Sequence, residues 1–154
     1  MRSRPLVSAL GAAALLVAPA TGIAGKRCAT ASADPATSSQ VVSLANAHRA
    51  GLRLGAFSSS AKLESAANTH SMAMARSGKL YHSNIEEWSA GRSAAQNVGA
   101  GSNAEIVFQA MLESPPHREA LESPKYRLVG IGGAMGCDGA LRVTVNMMAG
   151  RGGR

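Results

Sequence analysis

The sequence predicts an α+β domain in which helices come first and a β-hairpin closes the chain. Three observations carry that prediction. Residues 61–77 contain no glycine or proline and set Leu63, Ala67, His70 and Met74 on one helical stripe. Ser102-Asn103-Ala104-Glu105 has the spacing of a capping box ahead of an apolar run. Leu141, Val143, Val145 and Met147 alternate with Arg142, Thr144 and Asn146, the two-residue period of a strand with one buried face.

The chain begins with an export-type segment. Arg2 and Arg4 precede an apolar run over residues 6–19, followed by small residues, so residues 1–33 read as a signal peptide. The run is shorter than the ~20 apolar residues a membrane span needs, and the processed chain is not expected to be transmembrane. Cleavage fits after Ala20 or, better, after Ala33. The later cut discards Cys28 and leaves Cys137 alone; the earlier one lets the two pair in an oxidising compartment. Gly25-Lys26-Arg27 ahead of Cys28 does not look like a lipid-attachment site. Residues 34–40 are small and polar, a flexible leader.

The domain proper is expected over residues 41–149. Val41, Leu44 and Ala45 start a helix that His48 and Arg49 close before Gly51, with His48 as a charge complementing the helix dipole. Leu54 and Phe57 plug a connector, and Ser58, Ser59 or Ser60 can cap the 61–77 helix, which stops at Gly78. His70 lies on the apolar stripe and is read as a core residue satisfied by one hydrogen bond. Residues 79–95, with Tyr81, His82, Asn84 and Trp88, have no period and form an irregular loop. Residues 96–101 are a short extended piece or turn. Ser102 caps the third helix, whose apolar face is Ile106, Val107, Ala110 and Met111.

Pro115 and Pro116 end that helix and start another. Ser114 is its N-cap and Pro115 its first residue, which presents His117 at a helix N-terminus. The positive end of the helix dipole disfavours a protonated imidazole, so His117 is expected as a neutral acceptor, ligand or base. The closing hairpin spans residues 127–134 and 140–148. Gly130, Gly132 and Gly133 would let another element approach its backbone closely. Residues 150–154 are a disordered tail.

Composition narrows the function. With 154 residues and 45% hydrophobic content there is room for one core. One Trp, two Tyr and two Phe cannot build it, so aliphatic residues and seven Met must. The formal charge of +7 is concentrated at the start, where Arg2, Arg4, Lys26 and Arg27 lie; beyond residue 33 twelve basic residues face nine acidic ones, a net of +3. No basic run survives there, which argues against a nucleic-acid partner. Paired CxxC, HExxH and phosphate-binding loops are missing from the sequence.

The order of motifs resembles a known family. Asn46-Ala47-His48-Arg49 with Gly51-Leu52, Leu63…Ala67…His70-Ser71…Met74-Ala75, His82, Gln96-Asn97-Val98-Gly99, Ser114-Pro115-Pro116-His117-Arg118 and Tyr126…Val129-Gly130-Ile131-Gly132 together look like the bacterial secreted branch of the CAP superfamily, the SCP-like or PR-1-like domains. The resemblance implies an α-β-α sandwich with helices on both sides of a small, mainly antiparallel sheet. It also implies a cleft with two histidines and two acidic residues, which in some members holds a divalent metal. By motif the histidines are His82 and His117, the candidate ligands for Zn or Mg. Gln96 stands at the first acidic position, beside Asn97, and Glu113 is the candidate for the second. Met111 and Ala120 depart from the usual Trp and Asn.

An amide at position 96 cannot hold negative charge or act as a base. The expectation is therefore a secreted, non-catalytic binding module, located outside the cell or at its envelope, for a lipid, a small molecule or a cell-envelope or protein partner. The alternative is a divalent-metal-dependent hydrolase using the His82/His117 cleft.

Overall fold

A computed structural model describes residues 28–150. The export-type start up to residue 27, with a cut after Ala20, and the tail from residue 151 lie outside the described residues. Ser32–Ala33 form a short strand, β1, and α1 then runs Pro35–Gly51. The leader is thus helical from Pro35 to Gln40, contrary to its reading as flexible. Asp34 is the cause: its carboxylate accepts from the Ala36 amide at 3.2 Å and from the Thr37 hydroxyl at 2.9 Å, and Pro35 takes the first helical position, where no amide is needed. Thr37, buried under the sheet, fixes this extra turn to the core.

β2 (Ser58–Ser59) leads into α2 (Ala61–Ser77), which ends at Gly78 in the left-handed conformation, φ +67°. A one-turn helix α3 (Glu86–Ser89) interrupts the expected loop, and β3 (Ala94–Gly101) is a full eight-residue strand rather than a short turn. α4 (Ala104–Glu113) starts one residue later than expected. Its cap is Asn103, whose side chain accepts from the Ile106 amide at 2.9 Å, and not Ser102. α5 (Pro115–Glu122) follows with Ser114 at its N-cap and proline in its first turn. β4 (Tyr126–Met135) and β5 (Leu141–Ala149) make the hairpin.

The sheet order is β1-β4-β5-β3, antiparallel throughout this path, with β2 parallel on β4. β1 and β2 pair with different stretches of β4, Ala134–Met135 and Leu128–Val129 respectively. Helices cover both faces. A side chain at Gly130 or Gly132 would collide with the α2 backbone at Leu63–Glu64 and Ala67–Asn68; one at Gly133 would strike Thr37 of α1 on the opposite face. With α2 on one side and α1, α4 and α5 on the other, the α-β-α sandwich is complete. The main core fills the α1/α4 side, where Val41, Val107, Met111, Ile131, Val143 and Val145 meet.

β5 corrects the one-sided hairpin. Every residue from Leu141 to Met148 is buried. Thr144 and Asn146, expected to face water, lie beneath α2 and are satisfied there: the Ser71 and Thr144 hydroxyls bond at 2.8 Å, and Asn146 Nδ2 donates to the Leu63 carbonyl at 3.3 Å. Arg142, expected on the same wet face, is buried as well and pairs with Asp138 of the hairpin turn at 2.6 Å.

Cys28 and Cys137 form a disulfide, with Cα atoms 5.5 Å apart. This is not the lone Cys137 expected from a cut after Ala33. The Cys28 amide also donates to the Arg76 carbonyl at the end of α2. Residues 28–33 are therefore tied to α2, to the hairpin turn and to β4, contacts that a cut after Ala33 would remove.

Candidate functional site: two histidines at the β3 edge

β3 is an edge strand, and its two neighbouring residues Gln96 and Asn97 point to opposite faces of the sheet. Each reaches a different histidine. Gln96, 6% exposed, places Oε1 3.1 Å from Nδ1 of His82 and 2.9 Å from the Ser83 amide. Its Nε2 donates to Ser83 Oγ at 2.7 Å and to Asn146 Oδ1 at 2.9 Å. Asn97, fully buried, donates from Nδ2 to the backbone carbonyl of His117 at 2.9 Å. One strand thus anchors the His82 ring from the α2 side and the first turn of α5 from the other.

Burial, and after it the nearby His82, hold the His117 imidazole below its usual range. The direction agrees with the neutral histidine expected at a helix N-terminus, with burial as the leading cause and a second imidazole after it. His82 itself is exposed, between the exposed Tyr81 and the half-buried Ser83.

Glu113 does not complete an acidic pair. It is exposed at the end of α4, where its carboxylate accepts from Gln109 at 3.2 Å. Among the described residues no three His, Cys, Asp or Glu side chains converge on a point that could hold a metal ion. A catalytic zinc needs three protein ligands, and magnesium needs carboxylate oxygens. Two imidazoles, and an amide whose nitrogen and oxygen are already engaged, supply neither set. The residues present do not fit Zn or Mg.

The other histidines are structural. His70 is 7% exposed, donates from Nε2 to the Tyr81 carbonyl at 2.7 Å and stands edge-on to the Tyr81 ring. It holds the stretch of loop that precedes His82. His48 pairs with Glu122 at 2.9 Å and lies against Phe108.

Three contributors escaped the sequence reading. Arg49, expected as a helix-end charge, is wholly buried and packs its guanidinium on Phe57, 4.0 Å from the ring centre. Burial and Arg127 hold its pKa below the usual arginine value. Ser83 receives hydrogen bonds from Trp88 and Gln96, and Asn146 orients Gln96 from the central strand. The Asn46-x-x-Arg49 spacing was the available signal for the first: Asn46 exchanges two hydrogen bonds with the Phe57 backbone, which brings Phe57 under Arg49. Nothing in the sequence distinguishes Asn146 from a solvent-facing polar residue. A cavity of about 400 Å³ lies between α1 and β4, lined by Ser38, Val42, Glu64 and Ile131 among others, and neither His82 nor His117 lines it.

Solved structures share this architecture. An outer surface protein from Borrelia burgdorferi superposes with a TM-score of 0.66 at 17% identity, over 73% of this chain and 92% of that one. An extracellular protein containing an SCP domain from Bacillus anthracis gives 0.64 at 21% identity, over 75% of this chain and 41% of that protein. The venom allergen-like protein 4 of Schistosoma mansoni gives 0.63 at 12% identity, over 75% and 90%. At such identities the likeness is one of fold. No curated protein matches the chain. The profile of the cysteine-rich secretory protein family, CAP, matches residues 42–147, from within α1 to within β5 and including His82, Gln96 and His117, and the chain belongs to that family.

Proposed function

We propose that this CAP domain works outside the cytoplasm as a non-catalytic binding module, and that its His82/His117 cleft receives an uncharged or hydrogen-bond-donating group of a small molecule, lipid or cell-envelope component. The observation that carries the reading is the state of Gln96. Its oxygen takes two hydrogen bonds and its nitrogen gives two, all within the protein. Such a group has no spare lone pair for a metal and no basicity for proton abstraction. What the cleft can offer a ligand is imidazole nitrogen and nearby exposed apolar surface at Leu80 and Tyr81. Export is supported by the basic, apolar start of the sequence and by the Cys28–Cys137 bridge, since disulfides persist in oxidising compartments.

Calorimetric titration of the exported protein with zinc and with magnesium tests the choice between module and hydrolase. The expected result is no saturable heat for either ion. Stoichiometric binding lost in both His82→Ala and His117→Ala would overturn the reading. Native mass spectrometry of gently purified protein should find a bound small molecule or lipid that His82→Ala releases; repeatedly empty spectra would count against the module.

A further inference from the structure

Resting on that reading of the cleft, we propose that Gln96 and Asn146 are a positioning pair that locks neutral His82 with its proton on Nδ1, so that the cleft presents the bare Nε2 as an acceptor.

A single chain of hydrogen bonds, with a fixed polarity at each end, links the core to the cleft. Asn146 is wholly buried on β5, and one end of its amide lies 3.3 Å from the Leu63 carbonyl. A carbonyl only accepts, so that end is the NH₂ group and the other end is oxygen. The oxygen faces Gln96 at 2.9 Å, which requires the Gln96 NH₂ there. Gln96 Oε1 is then turned toward His82. The backbone amide of Ser83, which only donates, points at the same Oε1 from 2.9 Å and fixes the same orientation independently. An amide oxygen facing His82 Nδ1 at 3.1 Å demands a proton on Nδ1. A neutral imidazole carries one N–H, which leaves Nε2 with its lone pair free.

The consequence is a specificity rule. A ligand seated against His82 must offer an O–H or N–H to Nε2. A carboxylate at position 96 would break the chain, because its second oxygen would face Asn146 Oδ1 while the Asn146 NH₂ is already committed to Leu63. The amide at 96 and Asn146 therefore belong together.

Long-range ¹H–¹⁵N NMR of histidine-labelled full-length protein, at a pH well above 6.5, reads the tautomer of each ring directly. The expected spectrum shows His82 protonated on Nδ1, the form that free histidine disfavours. Gln96→Met keeps the length but removes the acceptor, and His82 should shift to the Nε2–H form while His48 and His70 keep their signals. Asn146→Asp retains an acceptor for Gln96, and the Nδ1–H signature should persist. An averaged or Nε2-protonated His82 in the unmodified protein overturns the proposal, whether or not Gln96→Met folds; so does an unchanged His82 signal in a folded Gln96→Met. No ligand enters the measurement, so its failure leaves the binding-module reading to the titrations above, and the failure of those leaves the tautomer result standing.

Discussion

One terminal nitrogen of Arg49 donates to the Leu121 carbonyl at 2.7 Å and to the Ser123 carbonyl at 3.0 Å, so an arginine of α1 closes the last turn of α5. The remaining guanidinium nitrogens reach the carbonyls of Gly55 and Tyr126. Among the described residues Arg49 has no carboxylate partner; its charge is balanced by carbonyl dipoles at a helix C-terminus and by the Phe57 ring. An eight-residue helix is too short to persist alone. α5 is held at its start by Asn97 and at its end by Arg49, and His117 rides between them.

Arg49→Met should therefore cost about 3–5 kcal/mol, because each buried carbonyl left without a donor costs about 1–3 kcal/mol. Arg49→Lys should lose less, keeping the charge but not the planar fork. Urea denaturation gives the totals, and hydrogen exchange should show α5 amides losing protection before those of α2. Equal loss of protection in both helices would contradict the clamp.

His117 and Asp138 set two separate acid windows. The His117 pKa in the folded chain lies below its ordinary 6.5, so the unfolded chain takes up this proton first. His117 therefore costs no stability above that pH and costs increasing stability as pH falls through it. Asp138 is held below 3.8 by its hydrogen bond to Arg142 and then by the Ala140 amide, so its contribution is intact above that value and is lost only in stronger acid. Denaturation midpoints measured from about pH 7.5 to about pH 5 should fall, and His117→Gln should flatten the fall. An equal slope in the variant would show that His117 is not the group responsible.

The cap of α4 gives a sharper contrast. Asn103→Ala should cost about 1 kcal/mol while Ser102→Ala should be close to neutral, the reverse of what the capping-box spacing alone suggests. Thermal unfolding of the two variants decides it.

The periodicities revealed the helices and the hairpin, because an apolar stripe or alternation follows directly from which faces are buried. They did not reveal what covers a polar face. Arg142, Thr144 and Asn146 repeat at the same interval whether they meet water or a buried network, and only the position of α2 separates the two cases. The glycines of β4 were the legible hint, since they are what admits α2 so closely. Asp34-Pro35 was an equally local signal, a cap followed by a first-turn proline, but its polar neighbours made it look like a leader. The motifs single out His82, Gln96 and His117 as candidates. They do not show the wiring, because it runs through a strand fifty residues further on.

Gly132→Ala tests that close approach. The added methyl would meet backbone atoms of Ala67 and Asn68, which cannot rotate away, and a cost of at least about 2 kcal/mol is expected from overpacking. Gly139→Ala, in open space at φ +73°, should cost only about 1 kcal/mol of backbone strain. Comparable losses in the two variants would mean that the sheet and α2 can separate at little cost.

The Cys28–Cys137 disulfide makes a cut after Ala33 costly. Cys28 and Cys137 are separated by 109 residues, and a bridge closing so long a loop removes about 4–5 kcal/mol of unfolded-chain entropy in the simplest treatment. β1 and the Cys28–Arg76 hydrogen bond would go with it if cleavage followed Ala33. A cut after Ala20 keeps all three. Intact-mass measurement of the exported protein should find Cys28 present and two hydrogens fewer than the reduced chain, and Cys137→Ser or a reducing buffer should lower the unfolding midpoint. A mature chain starting at Asp34 would show that β4 keeps its Ala134–Met135 edge uncovered and that the sandwich stands without its latch.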